Sequence, residues 1–387
     1  MTAEEHRAVA QLMVVGLLVG AKVDEYLELT EPSEFRVLEV GGEIVSLLRL
    51  DRQAQWWLGR ALPSAQVLQL ATPPQHRGAG HGARLLAGLL TELRGDGVPL
   101  ATLTPSTYPF YRGAGFEVAG SWTWYEARAE HLPRSIAPYR ARPVSLEDPA
   151  ELADVYRRVA PSRHGALDRD ERFWRQLARR VKDKTTVAFM LDGPEGPAGW
   201  AVATLEWPPE PAFQTRVQVA DWGCLPGADA ALFALFAGYA STNGMVTWSG
   251  PDPDPAALYA LSDRFARLVE RWHWMLRLVD LPAALQARPW PSGVAGRVAF
   301  RVEDPVCPWN TGAWRLELAG GEGRVEPAPP SDQAATADIR GLASLFTGFA
   351  GPDDLVRARL LAGFDADAVD LLRAAFASPR PWTAEFY

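Results

Sequence analysis

Residues 67–116 read VLQLATPPQHRGAGHGARLLAGLLTELRGDGVPLATLTPSTYPFYRGAGF. The run Val67–Ala71 is short and apolar, and prolines end it, which is typical of a buried strand. A glycine-dense turn follows at 75–82. From Ala83 leucines recur at helical spacing, and Gly95 supplies a stop signal. The stretch therefore predicts a strand, a glycine turn and a helix in immediate succession.

The turn carries three glycines at alternate positions, Gly78, Gly80 and Gly82. Glycines leave backbone N–H groups unobstructed, and beside a helix N-terminus such groups bind phosphate. A Walker motif is excluded because no Gly-Lys-Ser/Thr follows, and the pattern Arg77-x-x-Gly80-x-Gly82 lacks the leading glycine of a dinucleotide fingerprint. A tight turn that binds nothing is the alternative interpretation. The turn is therefore a candidate phosphate site of another class.

Length and charge limit what the remainder of the chain can be. With 387 residues, the chain is expected to form two or three domains. The net charge of −8 argues against nucleic acid and against anionic membranes as partners, and it mildly favours a cationic partner. Fifteen tryptophans also suit a groove for cationic amines with apolar bodies, although most tryptophans in a chain of this size are core residues.

Cysteine, histidine and the N-terminal segment give further expectations. Only Cys224 and Cys307 are present, so a disulfide framework is not expected and a cytoplasmic location is the default. The six histidines are scattered, and no metal site is expected. The apolar segment Val9–Val23 resembles a signal-peptide core, but acidic residues precede it and it is too short to span a bilayer. A buried first helix is therefore preferred.

The pattern between the first helix and the glycine turn predicts a hairpin. Phe35–Val40 and 43–48 alternate around two glycines. Trp56 and Trp57 follow and are either core residues or part of a wall for the acceptor. A second unit opens near Arg142, with helices over 146–159 and 170–181 and strands over 185–191, 199–206 and 214–222. Its turn at 223–229 lacks the Arg-x-x-Gly-x-Gly pattern, so this unit is not expected to bind a phosphate ligand, and an apolar helix is predicted over 230–240.

A third region begins at residue 282. Alternating residues predict antiparallel strands over 296–303 and 312–318, with shorter ones near 324–326 and 337–339. Helices are predicted over 339–347 and 365–376. A five-stranded sheet with helices in this order resembles a sterol-carrier-protein-like domain.

Two motifs in the first unit resemble those of the GNAT acetyltransferases. Arg77-x-x-Gly80-x-Gly82 resembles their pyrophosphate-binding signature, in which coenzyme A lies across the turn. Downstream, Tyr111-Arg112-Gly113-Ala114-Gly115-Phe116 resembles the Tyr-x-x-x-Gly-Phe segment with which such domains close the site. The number of residues between the two motifs fits one helix and one strand, and the strand is the one predicted over 99–104.

The order of the three regions resembles that of the Eis (enhanced intracellular survival) acetyltransferases, and the resemblance covers nearly the whole chain. It implies an α/β (α+β) fold of tandem GNAT domains, over 1–135 and 136–281, followed by a sterol-carrier-protein-like domain over 282–387. The second GNAT domain is expected to be degenerate. The implied activity is transfer of acetyl from acetyl-CoA to a small amine acceptor by direct attack in a ternary complex, and the implied assembly is a hexamer.

The resemblance also assigns roles to residues. Tyr111 is the expected general acid, and the terminal carboxylate of Tyr387 is the expected general base. Aminoglycosides are one of the family's acceptor classes, but its aminoglycoside-modifying members carry an acidic residue at the position of Phe386, so this acceptor class stays open. The residues expected to bind the cofactor lie on the strand, in the turn and after the next strand: Leu70, Ala71, Thr72, Arg77, Gly78, Ala79, Gly80, His81, Gly82 and Ser106.

Two other classes of function remain open from sequence. A regulator or scaffold that binds coenzyme A without turnover would keep the glycine turn but would not need an acid and a base. Tyr111 opposes that interpretation only modestly, because a tyrosine at this position can be a packing residue with a hydrogen-bonded hydroxyl. The interpretation as a lipid carrier depends on the C-terminal domain alone.

Overall fold

The structure is a computed structural model, and it describes residues 2–17, 22–182, 184–208, 214–261, 266–329 and 335–385. The chain forms two compact units. The first contains residues 1–120 and 273–379. The second contains residues 121–272 and the segment that starts at residue 380.

Residues 2–120 form helices that cover a mainly antiparallel sheet. The predicted hairpin is confirmed, since its two strands pair antiparallel from Phe35↔Arg49 to Val40↔Glu43. The predicted strand, turn and helix are also confirmed. The elements are α1 (Ala3–Leu17), α2 (Val23–Glu28), β1 (Phe35–Val40), β2 (Glu43–Asp51), β3 (Gln55–Trp57), β4 (Arg60–Leu62), β5 (Ser64–Ala71), α3 (His81–Gly95), β6 (Leu100–Leu103) and α4 (Tyr108–Gly113).

The part of the chain from 117 to 278 repeats this alternation of strands and helices. Its two long central strands pair antiparallel, from Gly199↔Cys224 to Glu206↔Arg216, and they confirm the strands predicted over 199–206 and 214–222. The elements are β7 (Glu117–Arg128), β8 (Arg140–Pro143), α5 (Ala150–Val159), α6 (Glu171–Val181), β9 (Thr185–Gly193), β10 (Gly196–Glu206), β11 (Arg216–Cys224), α7 (Asp229–Ala234), β12 (Met245–Gly250), α8 (Pro255–Ala260) and β13 (Arg267–Leu278).

The remaining elements belong to the first unit. Five strands form a separate sheet in the order β16-β15-β14-β17-β18, so the prediction of a five-stranded module is confirmed. The elements are α9 (Leu281–Ala287), β14 (Gly296–Glu303), β15 (Gly312–Ala319), β16 (Glu322–Pro327), β17 (Ala335–Asp338), α10 (Ile339–Thr347), α11 (Pro352–Arg357), β18 (Leu361–Ala362) and α12 (Ala366–Ala375).

Each unit has its own strand order. In the first unit the order is β1-β2-β5-β6-β13, and residues 275–278 of β13 pair with β6. In the second unit the order is β7-β12-β11-β10-β9-β8. Each of these two strand orders contains one parallel pair, β5 with β6 and β11 with β12.

The core of the first unit confirms two sequence predictions. The leucines of α3 are buried, and they pack with β5, β6 and α4. Helix α1 packs through Val9 and Met13 against the sheet, so residues 3–17 are a packed helix; residues 18–21 lie outside the described part. Trp57 is buried against Trp274 and Phe346, which supports its interpretation as a core residue.

The helix predicted over 230–240 is wrong in its length. An α-helix covers only Asp229–Ala234, and a 3₁₀ segment follows over Ala237–Thr242. This segment contains Gly238 and Ser241, which are weaker helix formers than alanine. The Ser241 hydroxyl donates to the Gly238 carbonyl at 3.2 Å, a local bond that competes with the helical ladder. Apolar composition alone could not show this change.

Two general properties limit the possible sites. Within the described ranges, no helix combines the length and apolar character needed to cross a bilayer. No three His, Cys, Asp or Glu side chains of those ranges are grouped to hold a metal ion. Cys224 and Cys307 are both free thiols.

Candidate active site

Strand β5 separates from its parallel neighbour beside the glycine turn. Its ladder with β6 runs only from Ser64↔Leu100 to Gln66↔Thr102, whereas β5 continues to Ala71. On its other edge the register with β2 shifts by one residue, so that Leu68 is the extra residue of a β-bulge. A bulge twists and bends a strand. The last half of β5 therefore leaves backbone groups free on the side facing β6.

The glycine turn has the conformation that its sequence suggested. Gly78 and Gly80 have φ angles of 82° and 77°, a region that other residues seldom adopt. Gly80 is the N-cap of α3 and contributes no side-chain bond, and the first turn of this helix contains no acidic residue. Its first amide groups thus lack a capping side chain, and the helix dipole adds positive potential there. This end of α3 suits an anion.

Gly82 marks the point where three elements meet. A Cβ atom on this residue would lie 3.3 Å from Leu70, 3.4 Å from Thr72 and 3.4 Å from Phe110. The end of β5, the start of α3 and helix α4 are therefore in close contact at this glycine. The hydroxyl of Ser46 lies 3.2 Å from the Ala71 carbonyl oxygen and 3.1 Å from the Thr72 hydroxyl, which fixes the end of the strand.

Tyr111 lies in helix α4 with its ring buried. The ring packs edge-on against Phe110 and Phe116, with centroids 5.0 and 6.1 Å away. Burial raises the pKa of Tyr111 above its usual value, and a hydrogen bond with Ser106 opposes this rise in part. The phenol is therefore neutral at physiological pH. It can donate a proton or a hydrogen bond.

The glycine of the Tyr-x-x-x-Gly-Phe segment has a packing role. Gly115 has φ 82°, and a Cβ atom there would lie 2.7 Å from the guanidinium of Arg277. That guanidinium is fully buried and bonds to Asp304 at 2.5 Å. Gly115 therefore lets a buried ion pair lie against the turn after α4.

The structure brings many of the expected residues together and leaves others exposed. Leu70, Thr72 and Gly82 converge, and Ser106 lowers the pKa of Tyr111 against the rise that burial causes. The side chain of Ala71 is buried toward α1, where a Cβ atom on Gly16 would lie 3.1 Å from it. Tyr387, the expected base, lies outside the described residues. The exposed residues of the turn are Arg77, Gly78, Ala79 and Gly80, and His81 is half-buried.

Arg77 is held by main-chain acceptors. Its Nε donates to the Thr72 carbonyl at 3.1 Å, and one terminal nitrogen lies 3.5 Å from the Gly16 carbonyl oxygen. His76, which precedes Arg77 in the chain, bonds to Glu43 at 3.0 Å. The guanidinium of Arg77 is exposed, so it can reach a ligand on the turn.

Sequence reasoning missed several residues of this region. The bulge at Leu68 has no local signal, because it depends on pairing with β2. Ser46 sits in an ordinary strand pattern, and Phe110 reads as a hydrophobic helix residue. His273 bonds through Nδ1 to the Tyr108 hydroxyl at 3.1 Å, although 165 positions separate the two residues. These contacts are visible only in the tertiary structure.

A separate cavity of about 600 Å³ lies in the C-terminal sheet region. Apolar groups such as Val298, Phe300 and Leu371 line it together with Arg297 and Asp365. Its volume is in the range of small-molecule pockets. Because its lining includes both apolar and charged side chains, the wall of the cavity is mixed in polarity.

Comparison with known protein families follows the same division of the chain. Residues 2–119 and 165–278 each match a family described as an acetyltransferase (GNAT) domain. Residues 281–384 match the sterol carrier protein domain. A crystal structure of a GCN5-related N-acetyltransferase from Anabaena variabilis matches with a TM-score of 0.93 and 26% identity, and covers 100% of this chain and 98% of that one. The class is thus a tandem GNAT acetyltransferase with a sterol-carrier-like domain.

Curated relatives narrow the class. An uncharacterized N-acetyltransferase of Streptomyces coelicolor is 30% identical over 82% of this chain and 82% of its own length. The N-acetyltransferase Eis of Mycobacterium tuberculosis is 26% identical over 84% of this chain and 81% of its own. The chain belongs to the Eis-like family of GNAT N-acetyltransferases, and it is an acyltransferase.

Proposed function

We propose that this protein transfers the acetyl group of acetyl-CoA to a primary amine by direct attack in a ternary complex. The observation that carries the proposal is the convergence at Gly82 of the uncapped N-terminus of α3, the end of β5 and helix α4, in which the neutral Tyr111 packs beside Phe110. The GNAT family uses acetyl-CoA as its acetyl donor. The residues present fit that donor.

The elements divide the binding work between them. The amides at the start of α3 and the Arg77 guanidinium would hold the pyrophosphate, an anion that such groups favour. The free backbone edge of Leu70–Thr72 would bond to the amide groups of the pantetheine arm and to the thioester carbonyl. The first amides of α3 lack a capping side chain, and the ladder of β5 with β6 stops at Gln66, so both sets of backbone groups are open to a ligand; Arg77 contributes an exposed guanidinium.

The chemical step needs one acid and one base. The amine nitrogen bonds to the thioester carbonyl carbon, the carbon–sulfur bond breaks, and the departing sulfur takes the proton of Tyr111. The nitrogen loses a proton to a base, for which the resemblance nominates the α-carboxylate of Tyr387. A free α-carboxyl has a pKa near ~3.3–3.7, so water relay or desolvation is needed for it to act as a base. Its charge also favours an ammonium ion.

Three further assignments rest on the resemblance and on composition. We assign a small amine acceptor, with polyamines, aminoglycosides and lysine side chains as the classes to test. The net charge of −8 supports a cationic acceptor. The family resemblance supports a hexamer, and the two free cysteines support a cytoplasmic location.

A pair of substitutions, one beyond each end of α3, tests the donor site. Gly80→Glu places a carboxylate at the proposed phosphate position, where a Cβ atom meets open space, and it should abolish coenzyme A binding. Gly97→Glu adds the same charge beyond the other end of α3, at an exposed and open glycine whose φ of 71° imposes the same backbone strain, and it should bind normally. Calorimetric titration of both folded proteins gives the answer. Equal affinity in the two would overturn the donor site.

Turnover is tested by release of free thiol. Acetyl-CoA is incubated with the protein and each amine class, and the enzyme should release thiol only when an acceptor amine is present. Coenzyme A binding without amine-dependent release would favour a regulator. The cavity of about 600 Å³ is the observation that keeps a lipid carrier as a second candidate. Extraction and mass spectrometry of the purified protein would reveal a bound lipid.

A further inference from the structure

The C-terminal segment is bound within the second unit by main-chain hydrogen bonds. Ser121 of β7 forms a parallel bridge with Trp382. The Ser121 N–H donates to the Pro381 carbonyl at 3.2 Å, and the Thr383 N–H donates to the Ser121 carbonyl at 3.3 Å. On another side, the Trp382 N–H donates to the His164 carbonyl at 3.0 Å. This segment thus pairs like a short strand instead of fraying, which is the usual state of a chain end.

The segment lies where two strands of the degenerate GNAT domain separate. The parallel ladder of β11 with β12 covers only Arg216–Gln218, as the ladder of β5 with β6 covers only three residues. Strand β7 pairs with β12 as far as Thr123↔Gly250. Ser121, two residues before Thr123 in β7, instead pairs with Trp382 of the C-terminal segment 380–385, here called the tail. The Trp382 ring stacks on Trp222 near the end of β11, with centroids 6.5 Å apart. The tail therefore lies at this domain's counterpart of the proposed donor cleft.

A buried ionic cluster holds the tail by its last acidic residue. Arg169 donates two bonds to Asp221, at 2.9 and 2.8 Å, and its Nε donates to Glu385 at 2.7 Å. All three side chains are at most 6% exposed. The second oxygen of Glu385 accepts a bond from the Thr383 hydroxyl. Both oxygens of Glu385 are thus bonded, so this carboxylate has a defined position.

Aromatic rings complete the surroundings of the cluster. The Arg169 guanidinium lies 4.1 Å from the Tyr156 ring centroid and 4.0 Å from that of Phe173. Trp200 donates to Asp221 at 2.8 Å. Burial alone would lower the pKa of Arg169, but the charges of Asp221 and Glu385 outweigh it and the pKa is raised. The cation is permanent, so removing Glu385 would leave it with fewer partners in a low-dielectric site.

We propose that the cleft of the degenerate GNAT domain is a docking site for the chain's own C-terminus, and that Arg169 is a positioning residue for acetyl transfer. Arg169 acts through Glu385, which precedes the last two residues of the chain. Only two covalent steps join Glu385 to Tyr387, so fixing Glu385 limits the reach of the chain beyond it. This inference rests on the proposed function of that carboxylate. It also gives the second GNAT domain a role other than binding coenzyme A.

The test is a double-mutant cycle between the cluster and the chain end. Glu385→Gln and Arg169→Met are each made in the full chain and in a chain that lacks residues 386 and 387. In the full chain, each should lower kcat at least tenfold with little change in the KM for acetyl-CoA. In the truncated chain, neither should lower kcat further. Glu385→Gln preserves side-chain size, so it keeps the test valid if Arg169→Met does not fold.

The matched control breaks an ion pair of the same unit away from the tail. Glu151 bonds to Arg142 at 2.9 Å on the surface, and Glu151→Gln should leave kcat unchanged. A second readout is digestion by a carboxypeptidase, which should remove terminal residues faster from Glu385→Gln than from the control. Faster digestion supports docking and would not follow from a purely remote structural effect.

Each outcome bears on one of the two proposals. If truncation alone leaves kcat/KM unchanged, the role of Tyr387 is wrong, and the positioning role of Arg169 goes with it. If truncation lowers kcat/KM but Glu385→Gln has normal kcat and normal digestion, only the docking proposal is overturned. Equal losses from Glu385→Gln in full and truncated chains would show that the cluster stabilises the fold without acting through the tail.

Discussion

Tyr111 has the surroundings that a proton donor needs. Its ring packs edge-on against Phe110 and Phe116, and burial keeps its phenol protonated by raising its pKa, a rise that Ser106 offsets in part. Tyr111→Phe should lower kcat by about 10²- to 10⁴-fold if proton transfer limits the rate, with acetyl-CoA affinity unchanged. Tyr108→Phe removes another hydroxyl from the same helix and serves as the control. Normal kcat in Tyr111→Phe would make this tyrosine a packing residue.

The pH dependence of kcat follows from the same residue. Burial raises the pKa of Tyr111, so the protonated form needed for donation persists above its ordinary value of ~10. Activity that depends on this proton is therefore complete at lower pH and is lost only as pH rises through the raised pKa. A profile of kcat against pH should show no falling limb below about pH 10. A fall near neutrality that Tyr111→Phe abolishes would contradict this prediction.

Gly115 gives a prediction about stability. Alanine at this position would need φ near 82°, which costs about 1–2 kcal/mol, and its Cβ would lie 2.7 Å from Arg277. Gly115→Ala should thus lower the free energy of unfolding by at least about 2 kcal/mol in urea titration. Gly113→Ala is the control, because its Cβ meets open space within α4. Equal stability of the two variants would show that the turn adapts.

At the scale of elements, Asp304 links the end of β14 to β13. It accepts from Arg277, from the Cys307 N–H at 3.0 Å and from Asn310 at 2.9 Å. Replacing a partner of a buried ion pair leaves an uncompensated charge. Asp304→Asn should therefore lower the free energy of unfolding by about 3–5 kcal/mol.

Thermal and denaturant unfolding measure the effect of Asp304→Asn. The neighbouring Glu303 is exposed, and its nearest ionic partner, Arg301, lies at 3.6 Å on the surface. Glu303→Gln should change stability by less than about 1 kcal/mol, as is typical of exposed pairs. If Asp304→Asn were as stable as this control, the ion pair would not hold the two strands together.

Elements differed in how far sequence could predict them. The strand, turn and helix at 64–95 follow from local period and from glycine conformations, so their prediction was confirmed. The bulge at Leu68 and the separation of β5 from β6 follow from pairing partners, and no local pattern contains them. The open backbone groups at the end of β5 depend on these two features. The glycine turn of the candidate site was therefore predictable, and the open backbone edge of β5 was not.

At the scale of the whole molecule, the chain end is the most exacting test of the proposed mechanism. Adding one glycine after Tyr387 moves the terminal carboxylate while leaving Glu385 and Arg169 in place. We expect kcat/KM to fall at least about tenfold, roughly 1.4 kcal/mol of transition-state stabilisation, with coenzyme A binding preserved. Adding a glycine at the N-terminus is the control. Normal kinetics in the C-terminally extended protein would remove the carboxylate from the mechanism.

The sequence by itself determined the order of the domains, the glycine turn before α3 and the helix that carries Tyr111, because each depends on residues close together in the chain. Only the tertiary structure decided which distant groups share a buried charge. Arg277 meets Asp304 across 27 positions, and Arg169 meets Glu385 across 216. An arginine in a sequence reads as a surface residue, since charged side chains are seldom buried without a partner. The partner that makes burial possible is chosen by the fold, through long-range pairing that no local pattern encodes.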